Sequence, residues 1–283
     1  MKYPLAFALL AAPAACAAQT GLLIVAHGSD SAWNSRVLAT SNAVRWEGPI
    51  RVAFVMGPGA ATSSVGGQAR SLVAAGAKRI VVVPLMVSTW GAHVRDIDAE
   101  VAGEGHAVKS TAMPSMASDS GFPVVPATVT GGMDAAPELG AALLEQWQRL
   151  SPADRARPLM LVAHGPDTDI EAARWVANIT AACRQLAEHL PDHAVHVGLL
   201  RDDAPPAMRA AAVAQIRDTI TALARQRHDS TLVMTVLISS GDINNVVVPH
   251  DLSGMPMHYI GSSLTPSAPV AEWIRRIALE AKW

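Results

Sequence analysis

Three of the ten histidines stand where a strand hands over to a loop. Imidazole suits such a place because it holds borderline divalent metals and moves protons near neutral pH. His27 ends the apolar run "GLLIVAHGSD", and His93 lies in "VPLMVSTWGAHVRDI", just past the most β-branched run of the chain. His164 ends "LMLVAHGPDT", a worn copy of the first run about half a chain length further on. Two imidazoles delivered from two strand ends of one sheet can converge on one point and bind Co, Ni, Fe or Zn. From spacing alone, they are equally two unrelated polar residues in loops. His189, His193, His196 and His228 fall at helix termini or strand edges, and His106 follows Gly-Glu-Gly in a loop. Those positions ordinarily hold solvated or packed histidines.

The elements that must position these side chains alternate regularly. "GLLIVA" (21–26), "RVAFVMG" (51–57) and "KRIVVVPLMVS" (78–88) read as strands buried on both faces, with helices expected over about 31–46, 65–76 and 92–103. A short strand is expected at about 107–112. The order then repeats, with strands at 158–163, 193–200, 230–240 and 257–262, and helices over 168–189, 205–227 and 266–281. Such alternation predicts α/β units with parallel sheets, and the repeat at half the chain length predicts two similar halves. The stretch "SPADRARP" (151–158) marks the boundary between them. Ligands on such sheets sit outside the carboxyl ends of the strands, the position of both His27 and His164.

Composition excludes several classes. The formal net charge is −2 with no run of Lys and Arg, so a nucleic-acid footprint is absent. Half the residues are hydrophobic and only 4% aromatic, a globular composition in which Ala and Val suit close helix-on-sheet packing. "GPGAATSSVGG" lacks the Lys of a phosphate loop and the spacing of a dinucleotide site, so no nucleotide is expected. A Gly-x-Ser-x-Gly nucleophile turn is also missing, which weighs against a hydrolase.

The opening "MKYPLAFALLAAPAACAAQT" has the pattern of a secretory signal peptide, expected over residues 1–18. Domains are therefore expected at 19–150 and 151–283, in an exported, periplasmic chain, with Cys16 as an alternative site of lipidation. The leader is too short to span a bilayer comfortably, and no transmembrane segment is expected. Cleavage beyond Cys16 leaves Cys183 alone, so no intramolecular disulfide forms and any metal must rest on His and carboxylates.

"LLIVAHGS" followed by "VVVPLMVSTWGAHVRDI" resembles the class II chelatases, the family of sirohydrochlorin cobaltochelatases and ferrochelatases. Their pattern is an apolar strand ending in His-Gly-Ser, then a Val-Pro-Leu strand leading to Gly-x-His-Val and an acidic helix. The resemblance extends over nearly the whole chain after the leader, because the long members consist of two tandem halves. It implies two chelatase-like, Rossmann-type β/α domains whose parallel sheets face a central cleft. It also implies that His27 and His93 are the ligands of a substrate metal, Co or Fe foremost, with Ni or Zn as further options. Two imidazoles leave positions open for incoming pyrrole nitrogens, where a closed four-ligand site would not release its ion. Two pyrrole N–H protons must also leave, so a base is expected nearby.

Glu100 and Asp96, on the face of the predicted helix that carries His93, are the candidates for that base, unless they are ordinary solvated acids. Ser29, Ser88 and Thr89 at the strand ends are candidate hydrogen-bond donors to substrate carboxylates, with Arg95 and Arg36 as their candidate cations and His164 lent from across the cleft.

The second half departs from the pattern. Pro166 replaces the Ser of the first motif, and aligning Ser88 with Ser239 sets Asn244 or Ile243 opposite His93. The second half thus reads as a structural copy; His250 and His258 lie further on. The leader departs more seriously, because biosynthetic chelatases act on cytoplasmic intermediates. The chain therefore reads as a chelatase inserting a divalent metal into a sirohydrochlorin-type tetrapyrrole. The alternative is a non-enzymatic exported protein binding metal, tetrapyrrole or haem. Either form can be a monomer, since one chain supplies both halves, or a homodimer.

Overall fold

The computed structural model of the chain describes residues 19–103 and 121–283. The expected signal peptide with Cys16, His106 and the strand expected at 107–112 all lie outside the described residues.

The first half runs β1 (Thr20–Ala26), α1 (Ser31–Asn42), β2 (Ile50–Phe54), a one-turn α2 (Gly57–Ala60), α3 (Val65–Ala74), β3 (Arg79–Leu85), α4 (Ala92–Val101), β4 (Ala127–Val129) and α5 (Pro137–Gln148). A short α6 (Pro152–Arg155) occupies the expected boundary. The second half runs β5 (Leu159–Ala163), α7 (Asp169–Ala182), α8 (Arg184–Ala187), β6 (His196–Leu199), α9 (Pro206–Arg227), β7 (Thr231–Val236), a π-helical turn (Ile243–Val247) continuing into α10 (Val248–Asp251), β8 (Met257–Ile260) and α11 (Ala268–Glu280).

Each half builds one four-stranded parallel sheet, in the orders β2-β1-β3-β4 and β6-β5-β7-β8. The first strand of each half is therefore central, and the pairings Ala26↔Leu85 and Ala163↔Val236 bring equivalent strand ends level. Sequential strands joined by helical crossovers give this parallel arrangement. β4 pairs only with Ile80–Val82, so Pro84, which has no N–H to offer, falls where β4 has already ended.

The alternating side chains of β1 divide between two cores. Leu23 and Val25 pack with Ala69 and Leu72 of α3 and Ile97 of α4. Leu22, Ile24 and Ala26 join a larger cluster that also holds Leu159, Leu161 and Ala163 of β5, Trp175 of α7, Leu143 and Trp147 of α5 and Trp273 of α11. One continuous hydrophobic cluster thus spans both halves. Non-directional burial of this kind fixes the halves against each other.

Three expectations are corrected. The helix expected over 168–189 breaks at Cys183, whose ψ of 13° turns the chain before α8 begins. The three-residue β4 and the helix α5 had no counterpart in the sequence reading. The strand expected to reach residue 57 stops at Phe54, because Gly57 takes a left-handed φ of +69° and α2 follows.

Candidate functional site

His27 follows the last residue of β1, and the chain turns at once. Gly28 has φ +88°, and a Cβ there would lie 2.4 Å from the Met56 carbonyl oxygen. Only glycine fits this turn. The turn aims the Gly28 carbonyl back at its neighbour, so that His27 Nδ1 meets it at 2.8 Å. A carbonyl only accepts, so Nδ1 carries the proton and Nε2 keeps its lone pair for a metal or an acidic proton. Asp30 then caps α1 by accepting from Trp33 N at 2.7 Å, and the Trp33 ring stands 6.3 Å from that of His27.

His93 arrives by a different route. β3 ends at Leu85, and a loop runs to the first turn of α4, where His93 is the second residue. The two rings meet edge to face, with centroids 4.9 Å apart and planes at 87°. His93 Nδ1 is shut off from solvent and has no hydrogen-bond partner. An orphaned buried nitrogen costs on the order of 1–3 kcal/mol, which a bound cation would relieve. Burial, reinforced by the His27 and His164 imidazoles, pushes the His93 pKa down to about 4. Burial also lowers that of His27, against a raising contribution from the Gly28 carbonyl. Both rings are thus neutral at neutral pH, the form that ligates.

His164 repeats the geometry of His27. Its Nδ1 meets the Gly165 carbonyl at 2.9 Å, and its Nε2 lies 3.7 Å from Asp203 Oδ2. The structure therefore brings together His27, His93, His164 and Asp203, with Asp203 the carboxylate that acts electrostatically on His27. Among the described residues, no three His, Cys, Asp or Glu side chains are grouped so as to hold a metal ion, so the pair remains a two-imidazole arrangement. Cys183 is buried with its thiol pushed up to about 12, and it is inert.

Other expected site residues are placed elsewhere. Glu100, two helical turns beyond His93, accepts from Gly66 N at 3.2 Å and sits at the start of α3 rather than beside the imidazoles. Asp96 has a buried Oδ2 without a hydrogen-bond partner, and burial raises its pKa. Ser88 is 3% exposed and donates to Asp134 at 2.8 Å, and the Thr89 hydroxyl donates to the same carboxylate, so both hydroxyl protons are engaged within the protein. Arg95 is ion-paired with Glu171 of α7, and Arg36 donates to the Ser240 carbonyl at 3.3 Å. Of the expected hydroxyls, that of Ser29 makes no hydrogen bond within the described residues, while its backbone is held by Asn34. Asn244, opposite His93 in the copy, is 1% exposed and donates to Thr235 at 3.0 Å. His250 is exposed beside Asp251, and His258 bonds Asp154 at the amino end of its sheet.

Asp203 and Asp134 escaped the sequence reading. Asp203 carried a usable signal, since "RDDAPP" directly follows a predicted strand. Asp134 follows a three-residue strand too short to leave a periodic pattern. A hollow of about 880 Å³ runs between α7 and α9 over β6, away from the imidazoles.

Residues 21–150 match the CbiX family model. This half of the chain belongs to the CbiX family. It is the half that carries His27 and His93, in keeping with the class II chelatase resemblance of its motifs. Comparison with curated protein sequences returned no match. Among solved structures, SirB from Bacillus subtilis with Fe3+ is 18% identical and superimposes with a TM-score of 0.63, covering 93% of this chain and 95% of that one. The sirohydrochlorin chelatase SirB from Bacillus subtilis subspecies spizizenii in complex with cobalt is 17% identical, with a TM-score of 0.60 over 93% and 94%. DR2241 from Deinococcus radiodurans, a multi-domain protein with structural similarity to chelatases, is 16% identical, with a TM-score of 0.54 over 93% of this chain and 55% of that one. At these identities the likeness is one of fold. The CbiX-family half and its companion together share the two-sheet chelatase fold.

Proposed function

We propose that the chain is a chelatase that inserts a divalent metal, Co(II) or Fe(II), into a sirohydrochlorin-type tetrapyrrole. The observation that carries this reading is the perpendicular pair His27 and His93, 4.9 Å apart at the strand ends of the CbiX-family half. Both rings are held neutral, and one nitrogen is buried without a partner. Two neutral imidazoles bind an ion while leaving it open to other donors, which insertion into a macrocycle requires. Each metallation also releases two protons. Asp203, 44% exposed and 3.7 Å from His164, is the group that can accept them and pass them to solvent.

A second reading, a metal- or tetrapyrrole-binding protein without turnover, is favoured by one observation. Glu100, Ser88, Thr89 and Arg95 are all engaged within the protein rather than turned to a substrate.

The deciding experiment is an anaerobic absorbance assay with sirohydrochlorin and Co(II) or Fe(II), comparing the wild type with His27→Ala and His93→Ala. Conversion above the spontaneous rate, lost by more than about 100-fold in both variants, is the expected result. Saturable metal binding without conversion would establish the second reading, and full activity in both variants would remove the site assignment.

A further inference from the structure

The segment that delivers His93 is held from the opposite half of the molecule. Four residues of α7, Glu171, Arg174, Trp175 and Asn178, lie at helical spacings of i, i+3, i+4 and i+7 and so share one face. Each reaches the His93 segment or the group that anchors it. Glu171 pairs with Arg95, two residues beyond His93, while its other oxygen accepts from Thr168 Oγ1, the N-cap of the same helix. The Arg174 guanidinium lies 3.8 Å from the centre of the Trp90 ring. Trp175 Nε1 donates to the Trp90 carbonyl. Asn178 Nδ2 donates to Asp134 Oδ1 at 3.0 Å, the same oxygen that takes Thr89 N at 2.9 Å and Ser88 Oγ at 2.8 Å.

We propose that α7 of the second half is the positioning element for His93. By fixing Ser88–Trp90 and Arg95 on either side of it, α7 sets the spacing of the His27–His93 pair. His93 needs such a hold because it lies on neither strand. It stands at the start of a ten-residue helix whose N-cap is Gly91, with no side-chain cap bond. His27, by contrast, is fixed by its own strand and glycine turn. Metal ligation tolerates errors of only a few tenths of an ångström, so an unsupported loop would weaken the site without unfolding the protein.

This accounts for the second half. Its equivalent of His93 is the buried Asn244, yet its sheet, its core and α7 are intact. Trp175, Ile179 and Ala182 are buried in the core shared by both halves, so that core is the platform from which α7 works. The reciprocal contact, Ser239 Oγ donating to the Trp33 carbonyl at 3.0 Å, holds a segment that carries no imidazole.

The proposal rests on the reading of His27 and His93 as the metal-holding pair, and its test separates the two. The Trp175→Phe/Asn178→Ala double variant removes two donors and keeps the buried ring. Arg276→Ala removes a remote cross-half ion pair with Glu138 and serves as control. Hydrogen exchange across residues 88–93 and Co(II) titration are measured in both variants, the wild type and His93→Ala. Exchange in that segment should quicken, and the Kd for Co(II) rise about tenfold, in the double variant and not in Arg276→Ala. Exchange as slow as in the wild type, or an unchanged Kd despite faster exchange, overturns the proposal, as does an equal effect in Arg276→Ala. If the wild type binds Co(II) no more tightly than His93→Ala, the metal reading fails, and exchange alone decides whether α7 holds the segment. Should the double variant not fold, Trp175→Phe alone gives the same comparison.

Discussion

His27 and His164 make the same hydrogen bond, each from Nδ1 to the carbonyl of the glycine that follows, at 2.8 and 2.9 Å. The second half has therefore kept the device that fixes the tautomer while losing the partner imidazole. One half holds a pair, and the other presents a single ring beside Asp203.

That asymmetry ranks the histidines. His164→Ala is expected to lower metallation by about tenfold and to leave Co(II) binding nearly intact, a smaller loss than His93→Ala produces. Asp203→Asn should bind Co(II) normally but turn over about 100-fold more slowly, because proton removal and not metal capture is impaired. Initial rates and Co(II) titrations on the same preparations check both. A loss in His164→Ala equal to that in His93→Ala would move the metal site to the second half.

The lowered imidazole pKa values give a pH signature. Protons and metal compete for the same ring nitrogens. With His93 pushed down to about 4 from 6.5 and His27 lowered as well, few protons compete at mildly acidic pH. Co(II) affinity should thus begin to fall at a lower pH than the ordinary 6.5 of an exposed imidazole, and go on falling toward about 4, where His93 takes its proton. An exposed pair would lose affinity from about pH 6.5 downward. Stability follows the same sign: the folded pKa lies below the unfolded one, so the contribution of neutral His93 is complete above 6.5 and is lost as pH falls toward about 4. Titrations at two mildly acidic pH values and at neutrality, with urea melts alongside, measure both effects. An order-of-magnitude loss of affinity just below pH 6.5 would contradict the buried, neutral pair.

The two glycine turns separate stability from function. Gly28→Ala and Gly165→Ala each force a side chain into φ near +80°, at +88° and +80°, with the new Cβ 2.4 Å from the Met56 oxygen and 2.7 Å from Leu199 Cβ respectively. Each should cost about 3 kcal/mol in urea unfolding. Gly28→Ala should in addition weaken Co(II) binding, because the displaced carbonyl is the one that orients His27. Gly165→Ala should bind Co(II) like the wild type. Equal Co(II) affinities in the two variants would mean that the turn at Gly28 only supports the fold.

Much of this was legible locally. Short, β-branched apolar runs such as "GLLIVA" and "RIVVVPL" read as strands buried on both faces, and the recurrence of Ala-His-Gly marked both turns. In each case the cause lies within a few residues: a strand end, a left-handed glycine, a carbonyl beside its own histidine. That His93 follows the strongest strand was readable for the same reason.

Roles that depend on distant partners were not. Glu100 reads as a base until Gly66 N is found against it, and Arg95 as a substrate cation until Glu171 is found across the boundary. Ser88 and Thr89 looked available until Asp134 drew their hydroxyls inward. Local spacing determined which side chains stand at the strand ends. Which of them remain free for chemistry was decided by tertiary packing, because a hydrogen bond or ion pair across the fold depends on where the shared core sets the two halves, and no short window of sequence contains both partners.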